Sequence, residues 1–348
     1  MKLLKKPGLK APKKNSARRV LACDFDLSRL ILLEALQTDG QLRVEKFDLI
    51  RITEDSGRAA ETIKSCHAKG YSPNRIRVSL KGQSAVVRFV QMPRMKAEEL
   101  KSALTYEAEN YIPFKLDEVL LDFHILDEAP ADGQGMLNLI LVAVKKDEIY
   151  SVIKMFQDAN LNVELIDIDT LAAVNVFEYL YPDESKGVVG LFDMGEEISS
   201  LTVMMEGKPR FMRDLSFGRI DIVKRLRRKL GLSDADAQAV LANNVEISPE
   251  VREVLSECYE NLCSDLKVTL EYYRGHLPDG KPIEKLYLIG GVSDSGFLLE
   301  TLGAALSVPA EEVDISRKVT ISSEIDKSQF EQNKRLLPIA LGLCLRQL

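Results

Sequence analysis

The chain has no tryptophan and only three histidines, His67, His124 and His276, which stand far apart. No histidine has metal-ligand spacing to another, and no serine or cysteine sits in a catalytic context. The five cysteines lack paired short spacings. That argues against a disulfide framework and a zinc site, and points to a reducing compartment. No apolar run reaches the roughly 20 residues that cross a bilayer. The basic N-terminus is not followed by the apolar stretch of a signal peptide. Residues 1–19 contain no acid but hold eight of the 47 Lys and Arg. The other 329 residues therefore carry 39 basic and 53 acidic side chains, a net −14. A basic arm on an acidic body suggests contact with an anionic membrane surface. The acidic body argues against nucleic acid, whose phosphates need a basic face.

What is present is a pattern that occurs twice. LACDFDLSRLILLEAL (21–36) and VVGLFDMGEEISSLTVMM (188–205) each run apolar, acid, turn, apolar. The first copy predicts strands over 21–23, 30–36 and 43–50, with a turn at Asp39-Gly40, then a helix over 57–69 closed by Gly70. The second predicts strands over 188–192, 200–205 and 210–215, a turn at Glu206-Gly207, and a helix over 220–230. In 348 residues this describes two domains with internal pseudo-symmetry. Asp24 and Asp193 are expected just beyond the first strand of each half, where they could face each other across a cleft. Tight turns there cradle phosphates, and a carboxylate can hold Mg²⁺ through water. The plainer alternative is that both aspartates simply start turns. A third stretch, LYLIGGVSDSGFLLETL (286–302), predicts a strand, then Gly290-Gly291, then a helix from 294 or 295 whose N-terminus favours anions.

Between the halves, Leu100, Ala103, Leu104, Ala108 and Tyr111 recur at helical spacing, and Pro113 stops that helix. Strands over 75–80 and 85–91, joined by a turn at Lys81-Gly82-Gln83, would give it a sheet to cover. A long helix over 249–275 buries Cys258 and Cys263 among its leucines.

The three turn stretches together resemble the actin-like, ribonuclease H-like ATPase fold, an α/β architecture of two domains. QMPRM (91–95), EAENYIPFKLDEV (107–119) and LLPIALGLCLR (336–346) resemble the PilM family of type IV pilus assembly proteins. The related MSHA-pilus protein and the type II secretion protein GspL have similar architecture and are close alternatives, so a related secretion system is implied as well as a pilus. The resemblance implies a flexible tail over 1–19 and a first domain over 20–186 with an inserted α+β module, like that of FtsA, over about 72–146. A second domain over 187–348 follows, its last helix (334–347) packing back on the first. It implies a cytoplasmic scaffold, peripheral to the inner membrane, that binds the N-terminal tail of a PilN-like membrane protein. The implied partner contacts are Gln91, Met92, Pro93, Arg94, Tyr106, Tyr111, Ile112 and Phe114. ATP would be held by Asp24, Ser28, Asp193, Gly195, Gly290, Gly291 and Ser293, and Mg²⁺ by Asp24 and Asp193.

The first turn departs from the family's D-I-G-S-S-S-V-K. Asp26 stands at the glycine position, Leu27 at a serine and Ile31 at the lysine. Each change opposes a phosphate: an acid at about 4 Å costs up to about 4 kcal/mol at an effective dielectric near 20. Glu196 adds an acid to the second turn. The expectation is a degenerate nucleotide site with no catalytic residue. The rival is an active actin-fold ATPase or sugar-kinase-like phosphotransferase, which would need intact phosphate turns.

Overall fold

The computed structural model describes residues 17–26, 29–51, 63–64, 69–72, 74–81, 84–127, 135–242, 247–276, 280–290 and 295–346. Most of the helix expected over 57–69 lies outside them.

Strands β1 (Arg18–Phe25), β2 (Arg29–Thr38) and β3 (Gln41–Arg51) form an antiparallel meander. The β2–β3 turn puts both Asp39 (φ 48°) and Gly40 (φ 81°) in the left-handed region, as a two-residue hairpin turn requires. Each strand outruns its apolar core. Arg18 and Arg19, expected in the flexible arm, open β1 and pair with Glu164 and Glu34. Asp24 was expected beyond the strand but lies within it, opposite Ile31.

Strand β4 (Arg75–Leu80) corrects the expected hairpin with the segment at 85–91. It runs parallel to β1 instead, buried along nearly its whole length. Both its faces are covered, as in a central parallel strand. The module begins only at β5 (Ala85–Pro93). Helix α1 (Ala97–Glu107), β6 (Val119–Asp127) and β7 (Met136–Lys145) complete it, with strand order β5–β7–β6. Leu100, Leu104, Ala108 and Ile112, spaced by four, bury against Val90, Met92, Leu139 and Leu141. The helix ends before Pro113 through a 3-10 turn at Ala108–Asn110. Helix α2 (Lys146–Gln157) leads to β8 (Asn162–Ile168), which lies parallel to β4, and α3 (Asp169–Leu180) follows directly.

The second copy repeats the plan. β9 (Val188–Met194), β10 (Ser199–Met205) and β11 (Lys208–Leu215) form a meander turned by Glu206 (φ 57°) and Gly207 (φ 72°). Helices α4 (Arg219–Leu230), α5 (Asp234–Leu241) and α6 (Pro249–His276) precede β12 (Lys285–Gly290), parallel to β9. Helix α7 (Ser295–Leu306) and β13 (Ala310–Glu312) follow. Cys258 and Cys263 are buried in the α6 core, and burial pushes both thiols up to about 11, so they stay inert. The chain then supplies β14 (Val319–Ile321), parallel to β3, α8 (Lys327–Asn333) and α9 (Pro338–Leu345).

The sheet orders β14–β3–β2–β1–β4–β8 and β11–β10–β9–β12–β13 show the duplication: a meander, then two parallel strands beyond its first strand. The described residues form two compact units. One runs through Val176 and resumes over Ser316–Glu331 and from Ile339; the other takes Phe177–Ile315 and Gln332–Pro338. Buried Arg77 of β4 receives α9 in the first unit. Its Nη1 donates to the carbonyls of Leu343 (2.9 Å), Cys344 (3.1 Å) and Arg346 (2.5 Å), and its Nε to Glu164 (3.2 Å).

Candidate functional site

In the first unit β1, β4 and β8 lie side by side and parallel, so their C-terminal ends share one edge. Open α/β sheets place their ligands at that edge. Asp24, 2% exposed, is the last residue but one of β1 and lies at that edge. Ser79 and Lys81 are two residues apart, a spacing that turns both toward one face of a strand. The Ser79 hydroxyl donates to Asp24 Oδ1 at 2.7 Å and Lys81 Nζ at 3.1 Å. The same ammonium lies 3.6 Å from Asp169 Oδ2, at the start of α3. Asp169 Oδ1 accepts from the Thr170 N–H at 2.7 Å. Burial pushes the Asp24 carboxyl up, but Lys81, Arg29 and the Ser79 bond outweigh it and hold it below its ordinary value.

Asp26 does not present a bare charge. Arg29 lies 3.5 Å from its carboxylate, and the Asp26 N–H donates to the Arg29 carbonyl at 2.8 Å, closing the turn. Leu27 and Ser28 lie outside the described residues. Ile31 is fully buried as the direct partner of Asp24. A lysine introduced there would therefore enter the core beside Asp24.

In the second unit Asp193 lies within β9, opposite Ser200 on one side and Ile289 on the other, again inside the ladder rather than beyond it. Gly195 starts a closed turn: a Cβ there would stand 2.2 Å from the Ile198 carbonyl oxygen. The N–H groups of Arg219 and Ile220 donate to the carbonyls of Gly195 (3.0 Å) and Glu196 (2.9 Å). Arg219 also grips the Glu196 carboxylate through two nitrogens, at 2.6 and 2.8 Å. The acid expected to repel a phosphate is thus neutralised from α4. Gly290 (φ 68°) ends β12, and a Cβ there would lie 2.7 Å from Asp193 Oδ1. Asp193, Gly195 and Gly290 therefore gather in one place. Gly291 and Ser293 lie outside the described residues. Among the described residues no group of three or more His, Cys, Asp or Glu could hold a metal ion.

The module's candidate contacts divide by exposure. Met92 and Ile112 are buried in its core. Pro93, Arg94 and Gln91 are exposed, Gln91 donating to Asn138 Oδ1 at 3.0 Å. Tyr106 on α1 is 88% exposed. Tyr111 and Phe114 are half-buried. The Tyr111 carbonyl accepts from Arg88 Nε at 3.1 Å, and Lys145 Nζ stands 5.0 Å over the Phe114 ring.

The family model described as type IV pilus assembly protein PilM matches residues 24–348. The chain belongs to the PilM family. A solved "PilM-PilN type IV pilus biogenesis complex" is 25% identical, with a TM-score of 0.81 over 94% of this chain and 98% of that one. The ethanolamine utilization protein EutJ from Carboxydothermus hydrogenoformans, 13% identical, gives a TM-score of 0.53 over 96% and 91%, which shows the fold alone. The actin-like fold implied by the turn stretches is the fold of this chain. Such a fold would take ATP and Mg²⁺. Around Asp24 the residues present do not fit a metal, because the half-buried Lys81 ammonium already bridges Asp24 and Asp169, and it and the Ser79 hydroxyl both donate to Asp24 Oδ1. Sequence reasoning missed Lys81 and Asp169. A Ser-x-Lys spacing at the end of a strand beside an acid was the one signal that could have found the lysine.

Proposed function

We propose that this chain is a cytoplasmic scaffold of a type IV pilus inner-membrane assembly complex. It grips the N-terminal tail of a PilN-like membrane protein through its inserted module, and its nucleotide site is degenerate. The carrying observation is the likeness, over nearly all of both chains, to the PilM of a PilM–PilN complex. Exposed Pro93, Arg94 and Tyr106 on the module are the contacts that suit a peptide. An aromatic and an arginine are the side chains that most often dominate such interfaces. Among the described residues no helix is long and apolar enough to cross a membrane. The membrane partner would hold the complex at the bilayer, with residues 1–16 adding attraction to anionic lipid. The degenerate-site reading is supported by Asp26 in place of the family's glycine, by Ile31, fully buried, in place of its lysine, and by the ammonium on Asp24.

The test is fluorescence anisotropy with a labelled PilN-like N-terminal tail peptide. Removing residues 72–146 would tear β4 from the main sheet, so surface variants serve better. Arg94→Ala and Tyr106→Ala should each weaken binding at least tenfold, about 1.4 kcal/mol, with the fold intact. Unchanged affinity in the double variant would sink the module as the binding element.

A further inference from the structure

The buried charges at the sheet edge of the first unit have a composition of their own. Two carboxylates come from the outer members of a parallel triplet, Asp24 one residue before the end of β1 and Asp169 just after β8. The middle strand, β4, runs into Lys81. Asp24 and Asp169 are 2% and 6% exposed, so neither is well screened by water. Two such acids beside each other repel, and each disfavours the ionised form of the other unless a cation lies between them. Here one ammonium reaches both, at 3.1 and 3.6 Å.

We propose that Lys81 is a built-in cation that takes the place of a divalent metal ion between Asp24 and Asp169. This deepens, and rests on, the reading of the site as degenerate. A magnesium ion needs oxygens at about 2.0–2.1 Å and a full octahedral shell. It cannot share Asp24 Oδ1 with an ammonium already hydrogen-bonded there, beside a Ser79 hydroxyl donating to the same atom. Both donors favour the ionised carboxylate and occupy Oδ1, and the ammonium stands where a cation bridging Asp24 and Asp169 would stand. The lysine is tethered, so the site cannot lose its cation to a chelator.

The placement has a functional consequence. Lys81 lies between the end of β4 and the start of β5, where the chain leaves the main sheet for the module. The ammonium ties the root of the module to β1 and α3. The module is thereby seated without metal, and capture of a partner peptide needs neither Mg²⁺ nor nucleotide.

The full chain should show the same Tm in EDTA and in millimolar Mg²⁺ or Mn²⁺. Lys81→Met keeps the stem and removes the charge. It should lower Tm by several degrees in EDTA, and millimolar Mn²⁺ should restore at least half the loss. The double variant Lys81→Met with Asp24→Asn should show no restoration. Lys81→Arg, which keeps the charge, should stay indifferent to metal and covers the case in which Lys81→Met does not fold. A Tm of the native chain that rises with Mg²⁺ and loses this rise in Asp24→Asn would overturn the proposal. So would a folded Lys81→Met that ignores Mn²⁺, or an Arg variant that responds to it. ATP binding by the native chain in EDTA would sink the degenerate-site reading while leaving the lysine's role standing.

Discussion

Arg77→Met tests the joint between β4 and α9. The last carbonyls of a helix have no partner within it, and Arg77 Nη1 serves those of Leu343, Cys344 and Arg346. One nitrogen has two N–H groups for three carbonyls, so about two full bonds are formed. A bond from a charged donor contributes about 1.5–3 kcal/mol, and a cation at a helix C-terminus adds up to about 2 kcal/mol when partly buried. Against this stands the desolvation of the guanidinium, which methionine relieves. Burial lowers the Arg77 pKa, the direction expected of a charge taken out of water. Glu164 keeps Arg18 after the change, so no second charge is stranded. The expected loss is about 3 kcal/mol, or roughly 6–12 °C in Tm at 2–4 °C per kcal/mol. Arg77→Lys, with the charge but without the fork, should lose about half as much. Urea denaturation followed by circular dichroism measures both, and carboxypeptidase should trim the C-terminal helix of the methionine variant faster. A methionine variant within about 0.5 kcal/mol of native, the range of ordinary surface changes, would refute the capping role. So would a lysine variant worse than the methionine one.

Asp167 gives a pH signature. Burial pushes its carboxyl up to about 6, with Asp122 adding to the rise, while Arg346 (3.4 Å), Arg77 and the Ile168 N–H (2.9 Å) oppose it. The folded chain thus holds this proton more tightly than the unfolded chain, whose carboxyl titrates near 4. The group costs nothing below about pH 4, and its cost grows as pH rises to about 6, to a total on the order of 2–3 kcal/mol. Asp167→Asn should flatten the fall in stability across that window relative to native; parallel stability–pH curves would disprove it. The arm supplies another prediction. With Arg18 and Arg19 committed to β1, six lysines remain in residues 1–17. Each contributes at most about 1 kcal/mol near an anionic surface, screened over about 10 Å at 0.1 M salt. The full chain should pellet with anionic vesicles at low salt and a chain starting at residue 17 should not; equal pelleting removes the arm's role.

The meanders were legible because their turns are local chemistry. Asp39-Gly40 and Glu206-Gly207 declare a left-handed pair wherever they stand. β4 was misread for a related reason. Lys81-Gly82-Gln83 looks like a hairpin turn, and Arg77 and Ser79 alternate with Ile76, Val78 and Leu80 as in a half-exposed strand. Both polar residues are buried, because their partners lie far along the chain: the carbonyls of 343–346 for one, Asp24 for the other. The same distance hid Lys81 with Asp169 and Glu196 with Arg219. A sequence window shows an acid's charge but not the cation that a different strand or helix brings to it.

The chain leaves the first unit at Val176 and returns at Ser316 and again at Ile339. This return gives synthesis an order. As the polypeptide emerges, the meander, β4, the module and β8 are all made before the segment that completes their sheet as β14 and covers Arg77 with α9. The second unit, continuous from Phe177 to Ile315, has every strand of its own sheet available first. Domains tend to fold as units in the order they are made. Here the N-terminal unit is the exception, waiting with an open β3 edge and an unfilled arginine until residue 346 leaves the ribosome. A nonsense mutation in the final helix would therefore damage the half of the protein that was translated first.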